Sequence, residues 1–117
     1  MSYWTAAWSA SAQGPYPYGR ETAQPDLTSV FPNPLQGAYD QSFRMIVRPD
    51  IWGSETRIRF SNFHGSNTVT FDDVFIGLQD MSSAVLRGTN QPVTFSNEKV
   101  VQIQRGEHFL SDPVHLG

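Results

Sequence analysis

The segment Asp112-Pro113-Val114-His115 sets an acid and an imidazole at Asp-x-x-His spacing. An acid that orients a histidine, which in turn deprotonates a serine hydroxyl, is the working arrangement of a serine hydrolase. Such a triad needs a serine within reach of the imidazole, on a strained and exposed turn. No serine in the chain has that context, and no Gly-x-Ser-x-Gly elbow occurs. An aspartate before proline is also a common turn at the end of a strand. That reading is favoured, and no catalytic centre is expected in this chain.

His64, His108 and His115, with Asp112, form the second chemical candidate. A structural zinc site takes four ligands, normally in tight pairs. His108 and His115 are seven residues apart on a segment that reads as strand and turn. They are expected to be surface histidines, with no metal and no cofactor. The chain has no cysteine, so thiolate ligands, disulfides and a cysteine nucleophile are excluded.

Two sets of residues point to binding rather than catalysis. Arg44 and Arg48 share one parity of a strand-like run, and Arg57 and Arg59 share one parity of the next. If those strands pair, four guanidinium groups lie on one sheet face. Such a face can grip a carboxylate or phosphate, or dock a protein domain through bidentate pairs. The alternative is a solvated face neutralised by Asp72, Asp73 and Glu107. The second set is aromatic. Trp4, Trp8, Tyr16, Tyr18 and Trp52 can form a platform that stacks on sugar rings, or can serve as core and loop anchors. Asn62 and Gly65 read as turn residues, the asparagine bonding its own chain and the glycine supplying positive φ.

The elements that must position these residues are strands. No window of helical periodicity survives interruption by Gly or Pro, and alternation of period two recurs instead. Strands are expected at Tyr3 to Ala10, Ser42 to Val47, Thr56 to Ser61, Thr68 to Leu78, Ala84 to Leu86, Val93 to Phe95, Val100 to Ile103 and Phe109-Leu110. The run Pro49 to Ser54 reads as a hairpin loop between the second and third of these. In Thr68 to Leu78, Val69 and Phe71 share one parity and Val74 and Ile76 the other. Asp72 and Asp73 sit at the switch, where a β-bulge of one residue would restore a single buried face. Turns are expected at Asn62 to Asn67, Gly88-Thr89-Asn90, Ser96-Asn97 and Arg105-Gly106. Residues 11–41 form a long loop holding five of the eight prolines, of a length that usually marks function or a covering flap. The pattern implies a single all-β domain over 1–117, an antiparallel β-sandwich or jelly roll.

With 117 residues the chain can bury one core and not two. A charged fraction of 16% and an aromatic fraction of 13% do not fit a disordered chain. The net charge of −3 argues against nucleic acid as partner. No apolar run approaches the length of a membrane span. Met1-Ser2-Tyr3-Trp4 lacks the basic and apolar regions of a signal peptide, which leaves the compartment undecided.

Several motifs recur in a familiar order: Trp4-Thr5-Ala6-Ala7-Trp8, then Phe43-Arg44-Met45-Ile46-Val47-Arg48-Pro49 with Gly53, then Arg57-Ile58-Arg59-Phe60-Ser61-Asn62 with Gly65. Pro92-Val93-Thr94-Phe95, Arg105-Gly106 and Ser111-Asp112-Pro113-Val114 follow. Together they resemble the N-terminal β-sandwich region of multidomain SGNH/GDSL-type esterases and lipases of bacterial type. The resemblance spans nearly the whole chain. It implies a non-catalytic accessory module that packs beside an α/β hydrolase domain, on the same or an associated chain, and shapes access to its active site. The nucleophile motif of that family, Gly-Asp-Ser, is absent here. The resemblance also implies one further apolar strand after the Ser-Asp-Pro segment, so the sandwich is expected to be one strand short. Two other readings compete with it: a carbohydrate-binding jelly-roll module, and a small hydrolase built on Asp112 and His115.

Overall fold

A computed structural model of the chain describes residues 3–11 and 38–116. Its strands are β1 Glu55–Thr56, β2 Arg59–Ser61, β3 Val69–Asp72, β4 Val74–Ile76, β5 Gln91–Val93, β6 Val100–Ile103, β7 His108–Leu110 and β8 Val114–His115. Every pairing is antiparallel, and the described residues contain no helix, so none is long and apolar enough to cross a membrane. The protein is all-β.

The pairings are nested. β4 pairs with β5, β3 with β6, β2 with β7 and β1 with β8, so the chain runs out and returns beside itself as one long ribbon. No ladder joins one pair to the next among the described residues. Side-chain packing therefore unites them, and the ladders alone do not define two stacked sheets. Val93, Phe95, Val101, Ile103 and Val114 are the buried apolar residues, with Ile58, Phe60, Phe71, Val74, Ile76 and Phe109 packed against them. Alternation explains the selection. In β6, Val101 and Ile103 point inward while Val100 and Gln102 face solvent. Aromatic contacts then link the pairs: Phe60 lies 4.8 Å from Phe71 and 5.7 Å from Phe95, and Phe95 meets Phe109 edge-on at 5.8 Å.

The parity switch at Asp72-Asp73 takes a different form from a bulge. Asp73 adopts φ 53°, the left-handed region. The chain leaves β6 at Asp72, opposite Val100, and joins β5 at Val74, opposite Val93. One left-handed residue inverts the parity, so Val69 and Phe71 before it and Val74 and Ile76 after it all turn inward. The strand changes partner rather than bulging against one.

Other expected strands are absent. Residues 3–11 and 41–49 form no ladder, and Ala84 to Leu86 contributes only an isolated bridge between Val85 and Gln79. The expected hairpin of Ser42 to Val47 with Thr56 to Ser61 does not form; β1 and β2 pair with β8 and β7 instead. Between β1 and β2 the backbone of Ile58 bonds Ser111 instead, its N–H to the Ser111 hydroxyl at 2.9 Å and its carbonyl to the Ser111 N–H at 2.8 Å. The long loop expected over 11–41 lies mostly outside the described residues.

Candidate functional site

Asp112 is the centre of the best-organised polar cluster. Phe95 and Glu98 exchange backbone hydrogen bonds of 2.8 and 3.0 Å across a two-residue turn. Its central residues, Ser96 and Asn97, both have positive φ, 53° and 66°. This hairpin geometry normally favours glycine. The side chain of Asp112 compensates. It accepts from Asn97 N–H at 2.7 Å, Ser96 N–H at 3.1 Å and the Thr94 hydroxyl at 2.7 Å. In return its own N–H donates to Thr94 O at 2.8 Å. The Asn97 amide, the Thr94 hydroxyl and the Ser96 amide hold the Asp112 carboxyl below the usual carboxylate range. Partial desolvation opposes them and the Arg57 charge adds to them.

A carboxylate whose folded pKa is depressed contributes stability above its unfolded pKa and loses it as pH falls through the folded value. The turn at Thr94 to Glu98 should therefore loosen in acid below about pH 4. Urea midpoints measured from pH 6 to pH 2 should fall for the wild type and fall less for Asp112→Asn. Equal slopes would mean that the clamp contributes nothing.

This geometry removes Asp112 from any triad. Both of its oxygens are committed to the turn, and no hydrogen bond joins it to His115 among the described residues. His115 is exposed on β8 opposite Glu55. Ser111 is buried, and its hydroxyl accepts from Ile58 N–H and donates to Asp112 O at 3.0 Å. It has neither the exposure nor the base that a nucleophile requires. A second serine–histidine pairing, absent from the sequence reading, comes from the β2–β7 register, which sets Ser61 opposite His108. The Ser61 hydroxyl instead accepts from Phe63 N–H at 3.2 Å. These residues, with Arg59, Gly106 and Glu107, line an open depression of about 610 Å³. The described residues contain no group of three or more His, Asp or Glu side chains placed to hold a metal.

The four arginines do not share a face. Arg57 and Arg59 belong to the β1–β2 stretch that faces β7 and β8. Arg44 and Arg48 lie in a segment with no ladder at all. The Arg44 guanidinium donates to Ser83 O. Arg57 lies under Trp4, its guanidinium carbon 4.7 Å from the ring centroid, and its Nε is buried without a hydrogen-bond acceptor. A parity argument placed these residues together only on the premise that their strands pair, and they do not.

The aromatic platform is likewise rearranged. Trp4, Trp8 and Trp52 are all exposed, but residues 3–11 are not a strand, so no strand aligns Trp4 and Trp8. Trp4 is spent in part on Arg57. Tyr16 and Tyr18 lie outside the described residues. No known family model matches the chain, and no curated protein matches it.

Asn62 and Gly65 are structural: Asn62 bonds its own chain across the turn, its Nδ2 donating to Asn67 O at 2.7 Å, whereas Gly65 serves the turn for a reason other than the expected one. Gly65 does not adopt positive φ. It is needed because the Asn62 side chain presses against it: a Cβ there would lie 1.7 Å from Asn62 Oδ1. The residues that sequence reasoning missed are Thr94 and Ser111, whose hydroxyls tie distant segments together. Nothing in their local sequence marks them, because their partners are 18 and 53 residues away.

Proposed function

We propose that this protein is a non-catalytic β-module that packs beside an SGNH/GDSL-type ester hydrolase domain, on the same or an associated chain, and shapes access to that active site. The observation that carries the reading is the imbalance between core and surface. Among the described residues, five apolar residues are buried. Tyr3, Trp4, Trp8, Met45, Ile46, Ile51, Trp52, Phe63, Phe75 and Met81 are each about half exposed or more. Exposed apolar side chains in that number support an interaction surface. The order of motifs supports a hydrolase as the partner. The catalytic serine, histidine and oxyanion donors then belong to the partner domain, and this module contributes position and access. A sugar-binding module is the second reading. It is favoured by the exposure of Trp4, Trp8 and Trp52 and weakened by the loss of the strand that was to align two of them.

The test is immunoprecipitation from source-cell extract with antibody against this chain, followed by labelling with a fluorophosphonate that reacts with serine hydrolases. The captured polypeptide, whether continuous with this chain or associated with it, should be labelled, while the purified 117-residue chain should not label or hydrolyse p-nitrophenyl acetate. Labelling of the purified chain that is lost in a Ser111→Ala, His115→Ala double variant would make it an enzyme. Capture without label, together with retardation in polysaccharide gels, would favour the sugar-binding reading.

A further inference from the structure

The segment Arg44–Arg48 has a strand's composition and none of a strand's bonds. Met45, Ile46 and Val47 are β-formers or tolerant of strands. Yet Arg44–Arg48 makes no backbone hydrogen bond among the described residues, and residues 41–49 hold no ladder, turn or bend. Side chains of both parities are exposed, Met45 at 76% and Ile46 at 55%. The segment is nonetheless held in place at both ends. The Arg44 guanidinium donates to Ser83 O, and Asp50 N–H donates to Ala7 O at 2.8 Å. An anchored run of β-forming residues with open backbone groups is a template for strand addition.

Charge selects the occupant. Arg44, Ile46 and Arg48 share one parity. A second copy paired antiparallel about Ile46 would set Arg44 opposite Arg48 twice, and like charges directly opposite destabilise a ladder. A strand with carboxylates at those two places and an apolar residue between them gains the opposite-charge pairs instead. We infer that Arg44–Arg48 is a docking edge for an extended strand of another polypeptide, one that presents acidic side chains opposite Arg44 and Arg48 and apolar side chains elsewhere. The inference concerns a binding mode and goes beyond the hydrolase reading, because such a strand can belong to any protein.

Residue-resolved amide exchange on the full chain tests it with two synthetic peptides, Thr-Glu-Val-Val-Val-Glu-Thr and Thr-Lys-Val-Val-Val-Lys-Thr. The acidic peptide should slow alternate amides within 44–48 about tenfold or more, because only every second residue of a strand bonds to a given edge. The lysine peptide should leave them unchanged. Arg48→Glu, which spares the Arg44 anchor, should weaken the acidic peptide about fivefold and admit the lysine peptide. Protection by neither peptide, or by both equally, overturns the inference. So does protection without peptide that grows with protein concentration alongside a sedimenting dimer, which would assign the edge to a second copy.

Discussion

Phe95→Ala should cost about 3–5 kcal/mol, the usual loss when a buried phenylalanine is truncated and its site cannot collapse. Phe95 is 2% exposed and is the junction of the aromatic cluster, stacked on Phe60 and edge-on to Phe109. Phe60 in β2 and Phe109 in β7 stand opposite each other in one pair of the ribbon, and Phe95 comes from the turn after β5. No ladder connects the β2–β7 pair to β4–β5, so the ring contacts do what hydrogen bonds would do in a continuous sheet. Against a typical domain stability of ~5–15 kcal/mol, the loss is a large share of the whole. Urea unfolding followed by tryptophan fluorescence should show a much lower midpoint, or no folded baseline. Phe75→Ala is the control, because Phe75 lies in β4 but is 55% exposed. Its cost should stay within about 0.5 kcal/mol. Similar losses at both positions would mean that the ribbon pairs are not united through Phe95.

The return half of the ribbon was the more legible in sequence. Val100 to Ile103 is β6 to the residue, and the turn at Ser96-Asn97 stands where turn chemistry places it. Both signals are local: a two-residue period, and two small polar residues that tolerate the left-handed region. Ser42 to Val47 failed although its alternation was as clear, because alternation reports what a strand could bury and not whether a partner is present. Pairing depends on residues far along the chain. Here β1 and β2 are claimed by β8 and β7, and the arginine face dissolved with the assumed hairpin. The candidate site fared similarly. Asp112 was expected to form a turn of its own before Pro113. Residues 111–113 hold no turn, and its carboxylate clamps the distant Ser96-Asn97 turn instead. Thr94 as its hydroxyl donor and Ser111 as the tie to Ile58 also depend on contacts between distant residues. No period or spacing encodes these.

The unpaired segment and the exposed aromatic residues bear on one physical question. Apolar surface and open backbone groups that a domain leaves uncovered favour association. Arg44–Arg48 combines both, and its charges restrict which strand can approach. Residues 3–11, held by the Ala7–Asp50 bond and the Trp4–Arg57 contact, lie at the other end of the same anchored stretch. A cation over an aromatic ring contributes ~0.5–1 kcal/mol at an exposed site. That holds the N-terminal run in place without a ladder and leaves most of its aromatic surface open.

Asn62→Ala should remove a large share of the stability. Asn62 is 8% exposed. Its Nδ2 donates to Asn67 O at 2.7 Å and to Ile103 O at 2.9 Å, closing the Asn62 to Asn67 turn and fastening it to the end of β6. Its carbonyl accepts from Gly65 N–H at 3.1 Å and Gly106 N–H at 2.8 Å, and its own N–H donates to Glu107 O at 2.8 Å. Two turns therefore meet on one residue. Alanine keeps the backbone bonds but removes the donor from the exposed Asn67 carbonyl and from the buried Ile103 carbonyl, and a buried acceptor left unmade costs about 1–3 kcal/mol. Asn62→Asp should be worse at neutral pH, because a carboxylate oxygen would face the carbonyls that the amide now serves. It should recover in acid, where the protonated group can donate again. Gly65→Ala attacks the same junction from outside. Its methyl would fall 1.7 Å from Asn62 Oδ1, so the amide must leave its place and the turn must open. If Asn62 is the junction, Gly65→Ala and Asn62→Ala should be far from additive, because the first already breaks what the second removes. Urea unfolding of the two single variants and the double decides this. Additive losses would show that Gly65 acts on the turn alone and that the Asn62 amide is not the shared element.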